Sequence, residues 1–419
     1  MKIGGIIAEY NPFHNGHMYQ IECFREFYGV SHTVVAMSGN FVQRGGPAIV
    51  DKFTRAKMAI ASGADLVIEI PSLYCTQTAE IFSRGGVSLL NSLGCVDLLC
   101  FGSENGDLKS IKNVAEIIIK EQAELDVLIS SNIKNRDSFP VAREKAIRNI
   151  LSRKNRCELD DGFFKESNTI LGIEYVKELL RLNSTIEPVS IKRYGTSHNS
   201  TESFENFCSA SFIRENIKKN GITGIMDFLP KSSQYEIGCY QADGRKFLFD
   251  DDFFSDICIE IIRNKGCLSR FFDVGNGLEN SIYKQASACL DFDEIIENLS
   301  SPIFTRNRIR RSLFNIFLGI EDKHIEICKQ INSMPFVRVL GFNKKGTEIL
   351  SRIKSNSDIS VVTQIAKSLR YESKHNDMYR FLLDYDLMTS ELYYQKSFSN
   401  NRKLLKKGKI DFTTLISMM

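Results

Sequence analysis

The chain has 419 residues, 43% of them hydrophobic and 25% charged, with a formal net charge of +3. This length suits two domains, and the composition is that of an ordinary globular protein rather than a disordered or fibrous one. With so small a net charge the chain cannot bind nucleic acid through overall basicity, so any such binding requires a local basic patch. The eleven cysteines lack paired spacing, which indicates reduced thiols rather than a disulfide framework or a zinc site.

The N-terminus lacks the features of a secretion signal, because no basic segment there precedes an apolar run. No uninterrupted apolar stretch reaches the roughly 18 residues that a membrane span requires. We therefore predict a cytoplasmic protein that makes no membrane contact.

In the first half of the chain, short apolar runs alternate with helical patterns. Helices are predicted over His17–Tyr28 and Lys52–Ser62, the second with Asp51 as its N-cap and Gly63 just past its end. This alternation indicates βαβ units, and hence an α/β, Rossmann-like domain with a parallel sheet. The predicted strands are Lys2–Ala8, His32–Met37, Leu66–Ile70, Val96–Phe101 and, further along, Ile186–Ile191.

The first strand leads into the sequence Ala8-Glu9-Tyr10-Asn11-Pro12-Phe13-His14-Asn15-Gly16-His17. A helix that starts at the carboxyl end of a parallel strand offers free N–H groups and a positive dipole end to phosphate. Gly16 allows close approach of a ligand, and Pro12 stiffens the turn. His14 and His17 can both point at one phosphoryl group and stabilise charge that develops on it, so we predict them to be catalytic. The alternative is a pair of structural histidines.

This segment resembles the HIGH-type nucleotidyltransferases, which transfer an adenylyl group from ATP. Residues 8–20, together with Met37-Ser38-Gly39-Asn40-Phe41-Val42-Gln43-Arg44-Gly45, resemble one branch more specifically, the bacterial tRNA(Met) cytidine acetate ligase family. A second signature of these enzymes is similar to Ser209-Ala210-Ser211-Phe212-Ile213-Arg214, in which one hydroxyl is missing. The resemblance continues through residues 277–280 and 339–343 and covers nearly the whole chain.

The resemblance implies ligation of acetate to N4 of the wobble cytidine of elongator tRNA(Met), through an acetyl-adenylate. ATP would be a substrate, accompanied by Mg²⁺, with no dedicated metal site in the protein and no obligate protein partner. The ATP contacts that it implies are Ile7, Ala8, Glu9, Tyr10, Asn11, Pro12, Phe13, His14, Asn15, Gly16, His17, Met18, Tyr19, Gln20, Gly102, Asn168, Arg193 and Tyr194.

Further phosphate or acetate contacts are expected at two places. Ser38, Gly39 and Asn40 follow the second strand, at a sheet edge where ligands bind, and Ser209, Ser211 and Arg214 belong to the second signature. Simpler structural explanations remain open for several of these residues. The loops can be ordinary turns, Asn168 can be a helix N-cap, and Arg193 can be a solvated charge.

After about Glu215 the chain is predicted to be mostly helical, without strand–helix alternation. We therefore predict a catalytic domain over residues 1–215 and a helical, tRNA-binding domain over residues 216–419. Arg306, Arg308, Arg310 and Arg311 begin an amphipathic helix, and a second basic cluster lies at residues 402–409. Such clusters suit an RNA backbone, although a solvated helix face is the plain alternative.

Two other functions remain open on the sequence alone. A small-molecule adenylyltransferase would share the nucleotide-binding core, but it would not account for the helical half or its arginines. A non-enzymatic RNA-binding protein with a relic nucleotide fold would not need the intact His14 and His17 pair. Consumption of ATP that depends on acetate distinguishes the ligase from both.

Overall fold

The structure, a computed structural model, describes residues 1–104, 106–134, 139–154, 158–193, 206–371, 377–398, 410–414, 416 and 418. Its centre is a single sheet of seven strands in the spatial order β5-β4-β1-β2-β3-β6-β7. The strands are β1 Ile3–Ala8, β2 His32–Ser38, β3 Leu66–Ile70, β4 Leu98–Ser103, β5 Glu187–Lys192, β6 Phe336–Phe342 and β7 Ser360–Val362.

The five strands of the first half are mutually parallel, which confirms the predicted α/β fold. Their side chains alternate between two apolar clusters, one on each face of the sheet. On β1, for example, Ile7 belongs to one cluster and Ile6 to the other. Burial on both faces explains why these strands appear in the sequence as continuous apolar runs.

Helices cover both faces. Those of the first half are α1 Asn15–Tyr28, α2 Lys52–Ala61, α3 Ser72–Cys75, α4 Ala79–Ser92, α5 Leu108–Lys120, α6 Gln122–Lys134, α7 Phe139–Arg153, α8 Ser167–Arg181 and α9 Ala210–Asn220. Those of the second half are α10 Lys231–Ala242, α11 Asp251–Arg263, α12 Leu278–Ala286, α13 Phe292–Leu299, α14 Arg306–Leu318, α15 Asp322–Gln330, α16 Lys344–Asn356, α17 Ile365–Tyr371, α18 Asp377–Ser397 and α19 Ile410–Thr413. None of the described helices is both long enough and apolar enough to cross a bilayer.

The second half is mostly helical, as predicted, and it also contributes two strands to the sheet. Strand β6 pairs antiparallel with β3, and β7 then pairs parallel with β6. With α16 between them, β6 and β7 form a strand–helix–strand unit, so the predicted lack of strand–helix alternation in this half fails over residues 336–362. The division into residues 1–215 and 216–419 stays a prediction, although both ranges contribute strands to the one sheet.

A cluster of charged side chains is buried where β3, β6 and the C-terminal helices meet. Lys52 Nζ lies 2.8 Å from Glu69 Oε1 and 3.1 Å from Asp411 Oδ1. Arg338 contacts the same two carboxylates, at 3.1 Å from Glu69 Oε2 and 2.8 Å from Asp411 Oδ1. Asp386 completes the cluster and accepts hydrogen bonds from the backbone N–H and the hydroxyl of Ser72. The cluster ties α2, β3, β6, α18 and α19 together.

The cluster contains two cations and three carboxyl groups, so one carboxyl group lacks a matching charge. Burial and the neighbouring Glu69 carboxylate raise the pKa of Asp386 from 3.8 to about 7. Burial also disfavours ionisation of Asp411, but Arg338 and Lys52 outweigh it and hold the pKa of Asp411 below its usual range. Asp386 is therefore the carboxyl group of the cluster in which the protonated form is most favoured.

We expect Asp386→Asn to change how stability depends on pH. The folded protein holds this proton more tightly than the unfolded chain does, so ionisation destabilises the wild type as pH rises from about 4 to about 7. Asn keeps an oxygen acceptor for Ser72 but cannot ionise. Melting temperatures measured across this range should move in favour of the variant as pH rises, and a constant difference between the proteins would contradict the assignment.

Candidate active site

A cavity of about 490 Å³ opens at the carboxyl ends of β1, β4 and β5. Ile7 and Ala8 of β1, Gly102 of β4 and Ile191 of β5 contribute to its wall. This is the edge at which open α/β sheets bind ligands, and the volume suits a nucleotide-sized molecule.

The loop between β1 and α1 places the two predicted catalytic histidines side by side. His14 is the N-cap of α1, and its Nδ1 accepts from the backbone N–H of Gly16 at 3.1 Å. The backbone N–H of His14 in turn donates to His17 Nδ1 at 3.2 Å, and the two rings stack with their centroids 3.7 Å apart. A nitrogen that accepts carries no proton, so each neutral ring keeps its proton on Nε2. Both histidines line the cavity.

A buried arginine holds this loop in place. Arg55 is fully buried and donates to the backbone oxygen of Glu9 at 2.5 Å and to that of Gly39. Its Nε donates to Val50 O at 3.1 Å. The guanidinium group thus links the carboxyl ends of β1 and β2. Tyr10, the next residue after Glu9, has a left-handed φ of +48°, which is unfavourable for a residue with a side chain.

A second group of site residues follows β4 and β5. Asn168 Nδ2 donates to Glu104 Oε1 at 2.7 Å, which fixes the orientation of the amide. Its Oδ1 is therefore the atom that can accept from a ligand in the cavity. Arg193 lies across Gly102, where a Cβ would sit 3.2 Å from Arg193 Cγ, so a larger residue at 102 would displace it. Burial lowers the pKa of Arg193, while Glu104 acts in the opposite direction.

The second signature lies beside the first. Ser209 caps α9 by accepting from the N–H of Phe212 at 3.0 Å, and it also lines the cavity. Arg214 donates to the backbone oxygen of Asn11 at 2.8 Å and to Ser211 Oγ at 3.2 Å. The α9 start is therefore fastened to the loop that carries His14.

The charge of the cavity wall is strongly positive. Arg44, Lys192, Arg193 and Arg311 line it, whereas Glu9 is the one carboxylate among the described lining residues. Burial lowers the pKa of Arg44, and the nearby Arg310 lowers it further, against the opposing effect of Glu9. A site with this charge favours a polyanionic ligand.

Comparisons with known proteins agree on one family. The profile of the HIGH Nucleotidyl Transferase family matches residues 1–407. A tRNA(Met) cytidine acetate ligase from Thermoanaerobacter sp. (strain X514) is 39% identical over 393 residues, which cover 94% of this chain and 95% of the relative. The ligase from Clostridium novyi is 38% identical over 407 residues, or 97% of this chain and 100% of the relative. This chain belongs to the tRNA(Met) cytidine acetate ligase family.

Solved structures confirm the fold. The apo crystal structure of Thermotoga maritima TmcAL matches with a TM-score of 0.92 and 29% identity over 100% of both chains. A second crystal form of that protein, bound with alpha-thio ATP, matches with a TM-score of 0.89, again over 100% of both chains. The resemblance found in the sequence is thereby confirmed for the family and for the architecture.

Most of the ATP contacts implied by the ligase-family resemblance come together in the structure. Cavity-lining residues that were predicted to contact ATP, phosphate or acetate are Ile7, Ala8, Glu9, Tyr10, Asn11, His14, Gly16, His17, Tyr19, Gln20, Gly102, Asn168, Arg193 and Ser209. Asn168, however, is not the N-cap of α8, because that helix begins at Ser167 and Glu166 occupies the cap position.

Other predicted contacts lie outside the wall. Phe13 is packed in the core, and Asn15 Nδ2 donates to the backbone oxygens of Asn206 and Asp227. Asn40 accepts from the N–H of Lys52 at 2.9 Å, beside the buried charge cluster. The predicted contacts that do not line the cavity are Pro12, Phe13, Asn15, Met18, Ser38, Gly39, Asn40, Ser211 and Arg214. Tyr194 and the basic cluster at residues 402–409 lie outside the described residues.

The structure adds lining residues for which the sequence predicted no role. Some of them had a signal in the sequence. Arg44 lies in the run Met37–Gly45 that resembles the ligase family, and Phe101 precedes Gly102 in the same strand. Gln43 lies in the same run as Arg44, and Ala210 lies within the second signature. The other additions lie on or next to α4, α7, α8, β5 and α14 and carry no local motif. The added lining residues are Gln43, Arg44, Thr78, Ala79, Phe82, Phe101, Pro140, Ser167, Ile170, Leu171, Tyr175, Ile191, Lys192, Ala210, Thr305 and Asn307.

Proposed function

We propose that this chain ligates acetate to N4 of the wobble cytidine, position 34, of elongator tRNA(Met) and consumes ATP in doing so. The proposal is carried by one observation, the paired His14 and His17 on a strongly cationic, nucleotide-sized cavity of this fold. It is further supported by the names of the relatives and by the alpha-thio ATP bound to the Thermotoga maritima protein.

In the first step, an acetate oxygen attacks the α-phosphorus of ATP. A new P–O bond gives acetyl-adenylate, while the bond to the β-phosphate breaks and pyrophosphate leaves. Such a transfer needs in-line positioning and neutralisation of spread negative charge more than covalent help. The Nε2–H groups of His14 and His17 and the N-terminus of α1 supply the donors. The free Oδ1 of Asn168 accepts from an amino or hydroxyl group of the adenosine.

In the second step, the N4 amine of the cytidine attacks the acetyl carbonyl. The bond to the adenylate oxygen breaks, AMP leaves, and the amine loses a proton. Of the residues predicted to bind tRNA, Arg306 is more than half exposed, at 57% of its side chain, and it remains our proposed RNA contact on α14. We assign no residue as the base for this step.

Mg²⁺ would neutralise part of the triphosphate charge when it is bound. Among the described residues no group of three His, Cys, Asp or Glu side chains could hold a metal ion. Glu9 is the one described carboxylate on the wall, so we propose that the phosphates themselves carry the ion into the cavity.

The first test is exchange of labelled pyrophosphate into ATP. Exchange should require a small carboxylate, and acetate should be favoured over propionate by roughly 10–200-fold, the usual range for one methylene in a closed pocket. Exchange that a coenzyme precursor supports equally well, without acetate, would instead indicate a small-molecule adenylyltransferase.

The matched test of the second step uses two tRNA transcripts. Elongator tRNA(Met) with cytidine at position 34 should gain one acetyl group, and the same transcript with uridine there should gain none because it lacks the N4 amine. Acetylation of both transcripts would contradict the proposed acceptor atom.

A further inference from the structure

Helix α14 begins at the wall of the nucleotide cavity, although it lies in the half of the chain predicted to bind RNA. Thr305, Asn307 and Arg311 all line the cavity. Thr305 is the N-cap and accepts from the N–H of Arg308, while Asn307 and Arg311 are four residues apart and so share one helical face. The start of α14 therefore belongs to the nucleotide cavity.

Arg311 is held in a fixed position by Asp273. Arg311 Nη2 donates to Asp273 Oδ2 at 2.9 Å, and Arg308 Nε lies 3.0 Å from Asp273 Oδ1. The backbone oxygen of Asp273 accepts from Ser312 Oγ at 2.8 Å, and its φ is +69°, a left-handed value that is uncommon outside glycine. The side chain of Arg311 is only 14% exposed. A guanidinium group so fixed and so covered is poorly placed to follow an RNA backbone.

The loop that carries Arg44 touches α14 at this point. Gly45 has φ +77°, and a Cβ on it would lie 2.9 Å from the Cα of Arg311, so the loop and the helix are in direct backbone contact. Arg44 lines the cavity and donates to Ser167 Oγ at 3.0 Å. Two guanidinium groups from distant parts of the chain, those of Arg44 and Arg311, thus line the same cavity.

Two more arginines lie near the cavity without lining it. Arg310 donates to Asp250 Oδ1 at 2.8 Å, and Arg214 bonds to the loop of the first signature. Burial and the proximity of Arg310 lower the pKa of Arg214 to about 10. Like charges crowded in this way repel one another, and a ligand with several negative charges relieves the repulsion better than a single carboxylate does.

We propose that Arg311 binds the triphosphate of the nucleotide, and that Asp273 is the residue that positions it. This inference rests on the proposed use of ATP. It reassigns Arg311 from RNA binding to the catalytic cavity, so the nucleotide site is completed by the second half of the chain. AMP, which lacks the β- and γ-phosphates, should gain little from Arg311.

The test compares the affinities of ATP and AMP by calorimetry, without acetate or tRNA. Arg311→Gln keeps a polar side chain of similar length but removes the charge. It should weaken ATP binding by roughly 10–100-fold, the scale for losing a hydrogen bond to a charged group, and leave AMP binding near the wild-type value. Asp273→Asn, which tolerates the same backbone conformation, should lower the ATP-to-AMP affinity ratio in the same direction.

Arg263→Gln is the matched control. Arg263 lies on α11 in the same half of the chain, is mostly exposed and does not line the cavity, so both affinities should stay near wild type. Because nucleotide binding is measured directly, the result does not depend on whether acetate is the substrate.

Three results would overturn the inference. The first is equal loss of ATP and AMP affinity in Arg311→Gln. The second is unchanged ATP affinity in that variant. The third is an equal loss of the ATP-to-AMP affinity ratio in the Arg263→Gln control. Unchanged ATP affinity accompanied by weaker binding of tRNA would return Arg311 to the RNA surface.

Discussion

His17→Ala should lower the rate of acetate-dependent pyrophosphate exchange by about 10²–10³-fold, the scale for removing one positioned donor to a charged transition state. The Nδ1 of His17 accepts from the backbone of His14, so its proton lies on Nε2, where it can donate to a ligand in the cavity. The ring also packs against Tyr10, with centroids 4.7 Å apart. Alanine therefore removes both a donor and one helix cap.

The protein contains a matched control for the lost cap. His324 occupies the same third position of α15, and its Nδ1 accepts from the backbone N–H of Glu321 at 3.1 Å. His324→Ala should lose a comparable cap, worth about 0.5–2 kcal/mol, but keep its exchange activity. If both variants lost activity to the same degree, the effect of His17→Ala would be one of folding, and the catalytic assignment would fail.

The first strand–loop–helix unit was predictable because the sequence that specifies it is local. The apolar run of β1, the loop with His14 and the start of α1 lie within a few residues of one another, although the helix begins at Asn15, two residues before the predicted His17. The Asp51 cap of α2 was predictable for the same reason, and its Oδ1 accepts from the N–H of Phe53 at 2.9 Å. The caps at His14 and Asp51 satisfy backbone N–H groups that every helix start leaves unpaired.

The contacts that complete the site are not local, and the sequence did not reveal them. Glu104 is 64 residues from Asn168, and Asp273 is 38 residues from Arg311, so no spacing rule connects either pair. Arginines on an amphipathic helix look alike whether they face water or a cavity. The burial of Arg311 is decided by the packing of α14 against the loop at Gly45, which is a property of the tertiary structure.

The strand β6 illustrates the same limit for the fold. Its apolar pattern is interrupted by Arg338, a residue that normally marks a solvated position. Arg338 is nevertheless only 3% exposed, because Glu69 of the neighbouring strand and Asp411 near the C-terminus both face it. A single charged residue in an apolar strand pattern cannot be interpreted without its ion-pair partners, which here lie in distant segments of the chain.

Arg338→Met should lower the free energy of unfolding by about 3–5 kcal/mol, because one cation is removed from a buried cluster whose carboxylates then lack compensation. Methionine fills much of the same space, so the loss is electrostatic rather than a cavity effect. Denaturant unfolding followed by circular dichroism measures it. Arg380→Met is the control, since the Arg380–Asp384 pair of α18 is about half exposed and should contribute at most about 1 kcal/mol.

A second substitution separates charge from shape. Asp411 accepts from Arg338 at 2.8 Å, so Asp411→Asn in the Arg338→Met background removes a carboxylate that has lost one of its two cations. The double variant should therefore be more stable than the sum of the two single losses implies, with a coupling of roughly 0.5–3 kcal/mol. Strictly additive losses would mean that Arg338 and Asp411 do not compensate each other. The contact of β3 and β6 with α18 and α19 would then be stabilised by packing alone.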